Sequence, residues 1–403
     1  MALTHWQLGG RQVVVSHKAE AVTVSLTEEN LVSYDLAGRY LGSYDHGTNI
    51  RRGLDNTFQQ RWREKGKSGV LLRHRFLPEP EARAHLESLR EQVARLLDDE
   101  VTVGSQPATA EVLQRAVNYT YDRLVASARS FADLYGHVPI LPPDQYRALV
   151  VQVTDGCTYN KCSFCTLYRD KTFRVRTPDD FRRHVRQVLD FIGEGLSYRS
   201  SLFLGDANAI AIATPRLVAL IEMLHAVPAL QPLLSRGGLH SFLDIYTSMR
   251  KSVDDYRALK NSGLRRVSLG VESGSEQLLA FVHKPGTRRD IHQVVSMLKE
   301  AGVAVVIIFM VGLGGHAYRE EHLAETVSLA RLLPLTNGDI IYLSQFSPDP
   351  QAPYLPIAFA AGVKPMTAAK IEAETGRWKA VLGKALCNTG VKVAPYSFQR
   401  FIY

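Results

Sequence analysis

Cys157-Thr158-Tyr159-Asn160-Lys161-Cys162-Ser163-Phe164-Cys165 carries three of the four cysteines of the chain at C-x4-C-x2-C spacing, directly after the apolar run 148–153. The run reads as a buried strand and the cysteines as the loop leaving it. Thiolates two to four residues apart can converge on one point, which suits a soft metal better than packing. Disulfide bonding explains the cluster poorly, because three cysteines cannot pair among themselves and Cys387 is distant. Structural zinc wants four ligands, usually as two pairs, and no histidine follows at finger spacing. A [4Fe-4S] cubane on three cysteines instead leaves one iron open for chemistry. On the residues alone, zinc in a non-catalytic binding protein and core-packed thiols stay open as alternatives.

A chain of 403 residues can bury a large core and has room for one large domain with extensions, or two. Its few, clustered cysteines point to a reducing compartment, and a cytoplasmic location is expected. Residues 1–6 lack the basic-then-apolar order of a signal peptide. The longest apolar stretch, Val303 to Leu313, is too short to span a bilayer and reads as a buried parallel strand, so no membrane partner is expected. The net charge of +8 permits an acidic partner, nucleic acid included.

Residues 1–70 read as β-rich, with strands at 12–15, 21–26, 30–34 and 39–44 and a glycine turn at 35–38. A basic stretch follows: Arg51, Arg52, Arg61, Arg63, Lys65 and Lys67, interleaved with Phe58 and Trp62. It is either a solvated face or a surface for phosphates and bases. Apolar residues at helical spacing predict helices over 81–97 and 111–135. Pro139, Pro142 and Pro143 mark a connector, with a boundary near 140.

From there strands alternate with capped helices. Strands are expected at 148–153, 201–204, 241–246, 266–271, 303–311 and 339–343. Thr177/Asp180, Ser252/Asp255 and Thr287/Asp290 each pair a hydroxyl with a carboxylate three residues on, as in a capping box. Six apolar strands alternating with helices imply a parallel sheet covered by helices. Periodicity does not choose between an open doubly wound sheet and a partial barrel. The tail 391–403 reads as a further strand that caps the barrel edge or lines the substrate site, and Cys387 reads as a packed thiol.

The cysteine loop resembles the cluster loop of the radical SAM (S-adenosylmethionine) superfamily, with one residue more in the first gap than the usual C-x3-C-x2-C. The resemblance implies an α/β fold: a partial (β/α)6 barrel over 141–350, a β-rich and helical accessory region over 1–140, and a C-terminal helix/strand extension over 351–403. It also implies that Cys157, Cys162 and Cys165 hold a [4Fe-4S] cluster and that Phe164 lies beside the adenine of SAM. Gly205, Asp206 and Asn208 stand where the family carries its glycine-rich amino-group loop, without the second glycine. Leu269-Gly270-Val271-Glu272-Ser273 resembles the ribose segment, making Glu272 the ribose ligand with Ser273 beside it. Lys284 falls where relatives place a base for the methionine carboxylate, Thr247 and Ser248 offer hydroxyls, and Val311 and Gly312 bring backbone to the adenine.

The activity so implied is reductive cleavage of SAM to a 5′-deoxyadenosyl radical that takes hydrogen from a small molecule, with modification of RNA as the alternative. A flavodoxin- or ferredoxin-like electron donor is expected as partner. Arg169, Lys171, Arg174 and Arg176 follow the cluster and either dock such a donor, bind an anionic substrate, or are simply solvated.

Overall fold

The structure, a computed structural model, describes residues 2–66, 69–397 and 401–403; Lys67 and residues 398–400 of the expected tail lie outside them. The chain forms two compact units.

One unit comprises Met1–Leu141 with His184–Ser200 and Arg400–Tyr403. Eight strands, β1 (Ala2–Leu8), β2 (Arg11–His17), β3 (Ala21–Thr27), β4 (Asn30–Asp35), β5 (Tyr40–Asp45), β6 (Thr48–Arg52), β7 (Phe58–Gly66) and β8 (Gly69–Phe76), run as an antiparallel meander. Alternation sorts the faces: Val22, Val24 and Leu26 of β3 are buried while their neighbours are not. With Trp6, Val15, Val32 and Phe58 they pack on Leu86, Leu89, Val93, Leu113 and Leu124 of the helices that follow. Those helices are Glu79–Leu96, Pro107–Asn118 and Tyr121–Tyr135. The single helix expected over 111–135 is in fact two. Thr120 restarts the second, its Oγ1 accepting from the Arg123 amide at 3.3 Å, because a hydroxyl offers the backbone a cap in place of a helical turn. In the same unit the buried Arg39 pairs with Asp35 and donates to the carbonyl oxygens of Phe191 and Ile192.

The basic stretch therefore lies on β6 and β7. Phe58 belongs to the core and Arg52 is buried, donating to Asn56 Oδ1 at 2.8 Å, so neither is part of a solvated basic surface.

The other unit comprises Pro142–Arg183 and Ser201–Gln399. It holds β9 (Ala148–Gln152), a short antiparallel pair β10 (Thr154–Asp155) and β11 (Arg174–Val175), then β12 (Ser201–Gly205), β13 (Leu239–Leu243), β14 (Leu264–Glu272), β15 (Ala304–Val311), β16 (Ile340–Gln345) and β17 (Lys392–Tyr396). Seven of these form one parallel sheet in the order β17-β16-β15-β14-β13-β12-β9, the partial barrel with a C-terminal helix and strand added at one edge. Every residue of β9 and β12 is buried, as strands covered on both faces require. Both complete capping boxes, Ser252/Asp255 and Thr287/Asp290, are formed. The strand expected to reach Tyr246 stops at Leu243. There Asp244 accepts from the Thr247 amide at 2.6 Å and caps a short helix, Ile245–Ser248. Among the described residues no single helix is long and apolar enough to cross a membrane.

Gly274, just after β14, shows how tightly this end of the sheet is packed. A Cβ there would stand 2.3 Å from the Glu325 carbonyl oxygen and 2.6 Å from the Thr326 Cα, both backbone of the helix Arg319–Leu332. Gly274→Val is expected to cost about 1–3 kcal/mol, read as a lower urea midpoint with little change in slope.

Candidate functional site

The loop after β9 carries the three thiols, and many of its hydrogen bonds end on neighbouring strands' loops. Ser163 donates through its amide (3.0 Å) and hydroxyl (3.1 Å) to the Val282 carbonyl. Thr158 donates to Asp244 Oδ2 at 2.6 Å, and Thr166 donates to Asp349. Asn160, at φ +52°, donates to the Tyr168 carbonyl at 2.7 Å and folds the loop on itself. Arg169 reaches back to the carbonyl oxygens of Cys162 (2.8 Å) and Cys165 (3.0 Å).

Burial pushes the Cys162 thiol up to about 11 and raises Cys165 as well, while the Lys284 cation acts in the opposite sense on both. Such thiols stay protonated at neutral pH until a metal displaces the proton. Among the described residues no three or more His, Cys, Asp or Glu side chains are set about a point as for a single metal ion.

After β12, Asp206 is almost fully buried and its carboxylate accepts three hydrogen bonds. Gln152 Nε2 donates to Oδ1 at 2.9 Å; the Gly156 amide (3.2 Å) and Lys171 Nζ (3.0 Å) donate to Oδ2. Asp206 thus ties the thiol loop from both ends. The Gly205 carbonyl is likewise occupied, by the Val153 amide at 2.9 Å. Asn208 is different. Its Nδ2 donates to Asp244 and to Thr247 Oγ1 (2.8 Å), yet its Oδ1 is buried with no partner. Thr247 also donates to Asp244 Oδ1 at 2.8 Å, and the Ser248 hydroxyl is spent on the Asp244 carbonyl.

At the end of β14, Glu272 sits at φ +65°, a left-handed conformation that a non-glycine residue keeps only when its surroundings impose it. His322 Nε2 donates to its carbonyl at 3.2 Å. Glu272 Oε1 accepts from Lys284 Nζ at 3.3 Å, and Oε2 is buried with no partner. Burial alone would lower the Lys284 ammonium; Glu272, Cys162 and Asp244 more than offset it and hold the cation charged. Ser273 is fully buried, its hydroxyl accepting from the Ser275 amide at 2.9 Å. Phe164 packs on an apolar cluster that includes Val282, Leu313, Phe346 and Tyr354. The Val311 carbonyl accepts from the Phe346 amide at 3.0 Å, and Gly312, at φ +88°, opens the turn closed by the Gly315 amide.

Of the four basic residues after the cysteines, Lys171 goes to Asp206, Arg174 and Arg176 go to Asp155, and Arg169 goes to the loop carbonyls. They build the loop rather than forming a freely solvated patch. Cys387 is exposed, which corrects its reading as a packed thiol.

Residues 151–327 match the model of the radical SAM superfamily. A radical SAM domain is present. Its span takes in the cysteine loop, the loops after β12, β13 and β14, and Val311. No curated protein matches the chain. Among solved structures it is similar to the radical S-adenosylmethionine methyltransferase TsrM from Kitasatospora setae (17% identity over 49% of this chain and 36% of that one, TM-score 0.37). It is also similar to coproporphyrinogen III oxidase HemN from Escherichia coli, a radical SAM enzyme (17%, 64% and 56%, 0.44). A third is the FeFe-hydrogenase maturase HydG from Carboxydothermus hydrogenoformans (12%, 78% and 75%, 0.41). The chain thus spans about a third of the methyltransferase's length. Nothing about substrate follows from likenesses this distant.

Sequence reading of the radical SAM domain missed Asp244, hidden inside an overlong strand, and the pairing of Lys171 with Asp206, since Lys171 reads as docking a donor, binding an anionic substrate or being solvated. It also missed His322, which nothing near it in sequence marks. Burial pulls His322 down to about 4, against the Glu272 carbonyl that works to raise it. The unfolded chain takes up a proton below about 6.5 and the folded one only near 4. The contribution of this residue is therefore complete above pH 6.5 and is lost as pH falls from 6.5 towards 4. The expected slope is about 1.4 kcal/mol per pH unit. Urea unfolding at pH 7 and pH 5 measures it, and His322→Gln should flatten that dependence by one proton's share.

Proposed function

We propose that the protein is a radical SAM enzyme acting on a small molecule, with Cys157, Cys162 and Cys165 holding three irons of a [4Fe-4S] cluster. The supporting observation is the pair of buried acceptors without partners, Asn208 Oδ1 and Glu272 Oε2, in loops at the same carboxyl end of the sheet as the three thiols. A buried polar atom left unpaired costs about 1–3 kcal/mol, so two in one site mark a place built for donors that arrive with a ligand.

When bound, cluster and SAM supply reductive cleavage of a sulfonium C–S bond and, from it, hydrogen-atom abstraction. The residues do the rest. Glu272 Oε2 accepts a ribose hydroxyl, and Lys284 offers its charge to the methionine carboxylate. Asn208 Oδ1 accepts from the SAM ammonium, beside Asp206, three of whose acceptor sites serve the loop. Thr247 and Ser248 line the same mouth. Phe164 packs beside the adenine, while Gly205, Ser273, Val311 and Gly312 bring backbone close. We assign the accessory regions to 1–140 and 351–403, before and after a barrel of 141–350 in sequence, with the segment His184–Ser200 going to the meander unit. Arg169, exposed at the rim, faces an acidic flavodoxin- or ferredoxin-like donor in a reducing cytoplasm.

The test is anaerobic reconstitution with iron and sulfide, reduction by dithionite, addition of SAM and assay of 5′-deoxyadenosine. Brown protein that releases the nucleoside supports the proposal. Colourless, air-stable protein with about one zinc and no sulfide overturns it.

A further inference from the structure

We propose that the outward face of β5–β8 binds single-stranded RNA. Strand register divides this basic region into two faces. Val32 is in the core, and Ser43 and Ile50 follow it in register; Trp62 and Arg73 pair on that same side. The alternate positions stand on the other side. There one row reads Tyr44, Asn49, Arg61, His74 and the next reads Gly42, Arg51, Gln59, Phe76. Arg63 and Lys65 continue the same side along β7.

Two properties separate this face from an ordinary solvated one. The first is sorted charge. Residues 40–76 contain eight Lys and Arg against three Asp and Glu. At these outward positions stand Arg51, Arg61, Arg63 and Lys65, with no carboxylate among them. Glu64 has the opposite parity and pairs with Arg73 there; Arg75 pairs with Glu81 of the packed helix. The second is aromatic surface. Phe76 is 50% exposed, meets His74 edge-on at 6.2 Å, and shares a face with the half-buried Tyr44. A rigid sheet showing aromatic rings between arginines lets bases stack while guanidinium groups follow the phosphates. Gln59, in the second row, is fully buried and takes no part in the exposed surface; Arg61 donates to its Oε1. The aromatics favour RNA over an acidic protein, because a protein carboxylate needs the cations and gains little from exposed rings.

This surface is independent of the proposed chemistry, since it is measured on the full chain without cluster or SAM. The experiment is fluorescence anisotropy with a labelled mixed-sequence 15-nucleotide RNA, at 50 and 200 mM salt. We expect binding that weakens steeply with salt. Arg51→Glu with Arg63→Glu, both exposed positions, should weaken it at least roughly tenfold and flatten the salt slope by about 1.4 for two lost phosphate contacts. Phe76→Ala should weaken it roughly fivefold to a hundredfold without changing that slope. Arg73→Gln, on the other face, should leave it unchanged. Circular dichroism melts check that each variant is folded. Absence of salt-dependent binding overturns the proposal. So does indifference to Phe76→Ala, or polyglutamate binding as tightly as RNA.

Discussion

Protein carrying Cys162→Ala, reconstituted with iron and sulfide, is expected to come through desalting colourless. It should hold far fewer than the roughly four irons of the parent. Nucleoside production should fall more than about a hundredfold, beyond the 10- to 100-fold typical of partners outside the ligand set. Alanine fits the site, because the loop is held by other groups. Arg169 grips the Cys162 and Cys165 carbonyls, which a side-chain change leaves in place, and Ser163 is bound to Val282. The melting temperature of the metal-free protein should therefore barely move. A variant that keeps full iron and sulfide would show that Cys162 is not a ligand.

Lys284→Met is expected to be the most destabilising change in the mouth. It removes the ammonium that donates to Glu272 Oε1, from a carboxylate whose Oε2 has no donor among the described residues. Leaving a buried charge uncompensated costs about 3–5 kcal/mol. Adding Glu272→Gln in the same chain should return most of that loss. Two side chains in one ion pair couple strongly, so the double change should cost much less than the sum of the single ones. SAM affinity, measured by equilibrium dialysis, should be lost in both single variants and stay lost in the double. That split separates a binding role from a purely structural pair. Additive stability effects, or SAM binding restored in the double variant, would refute it.

What sequence made legible, and what it hid, follows from where the energy lies. β15 was plain because a strand buried on both faces must be continuously apolar, and Ala304–Val311 is. The capping boxes at Ser252 and Thr287 were legible because they are local, each complete within four residues. β6–β8 were not individually legible: their outward positions carry arginine and lysine, so within a region read as β-rich the alternation shows only as a basic stretch. The break at Thr120 was hidden because apolar spacing continues across it. In the site, the cysteines, Glu272 and Lys284 were readable as a group. Asp206 was readable as a residue, but its partners Gln152 and Lys171 were not, because they are 54 and 35 positions away.

The meander unit is not continuous in the chain, and that limits how the gene can be cut. A fragment ending at Leu141 would keep every strand and helix of the meander yet lose His184–Ser200 and the segment ending at Tyr403. Arg39 would keep its buried position beside Asp35 but lose the Phe191 and Ile192 carbonyls that receive its guanidinium. Arg115 would lose Glu194, and the Leu54 amide would lose the Tyr403 carbonyl. An expression fragment for studying this half must carry the 184–200 segment grafted in or supplied as a peptide; a simple truncation should aggregate.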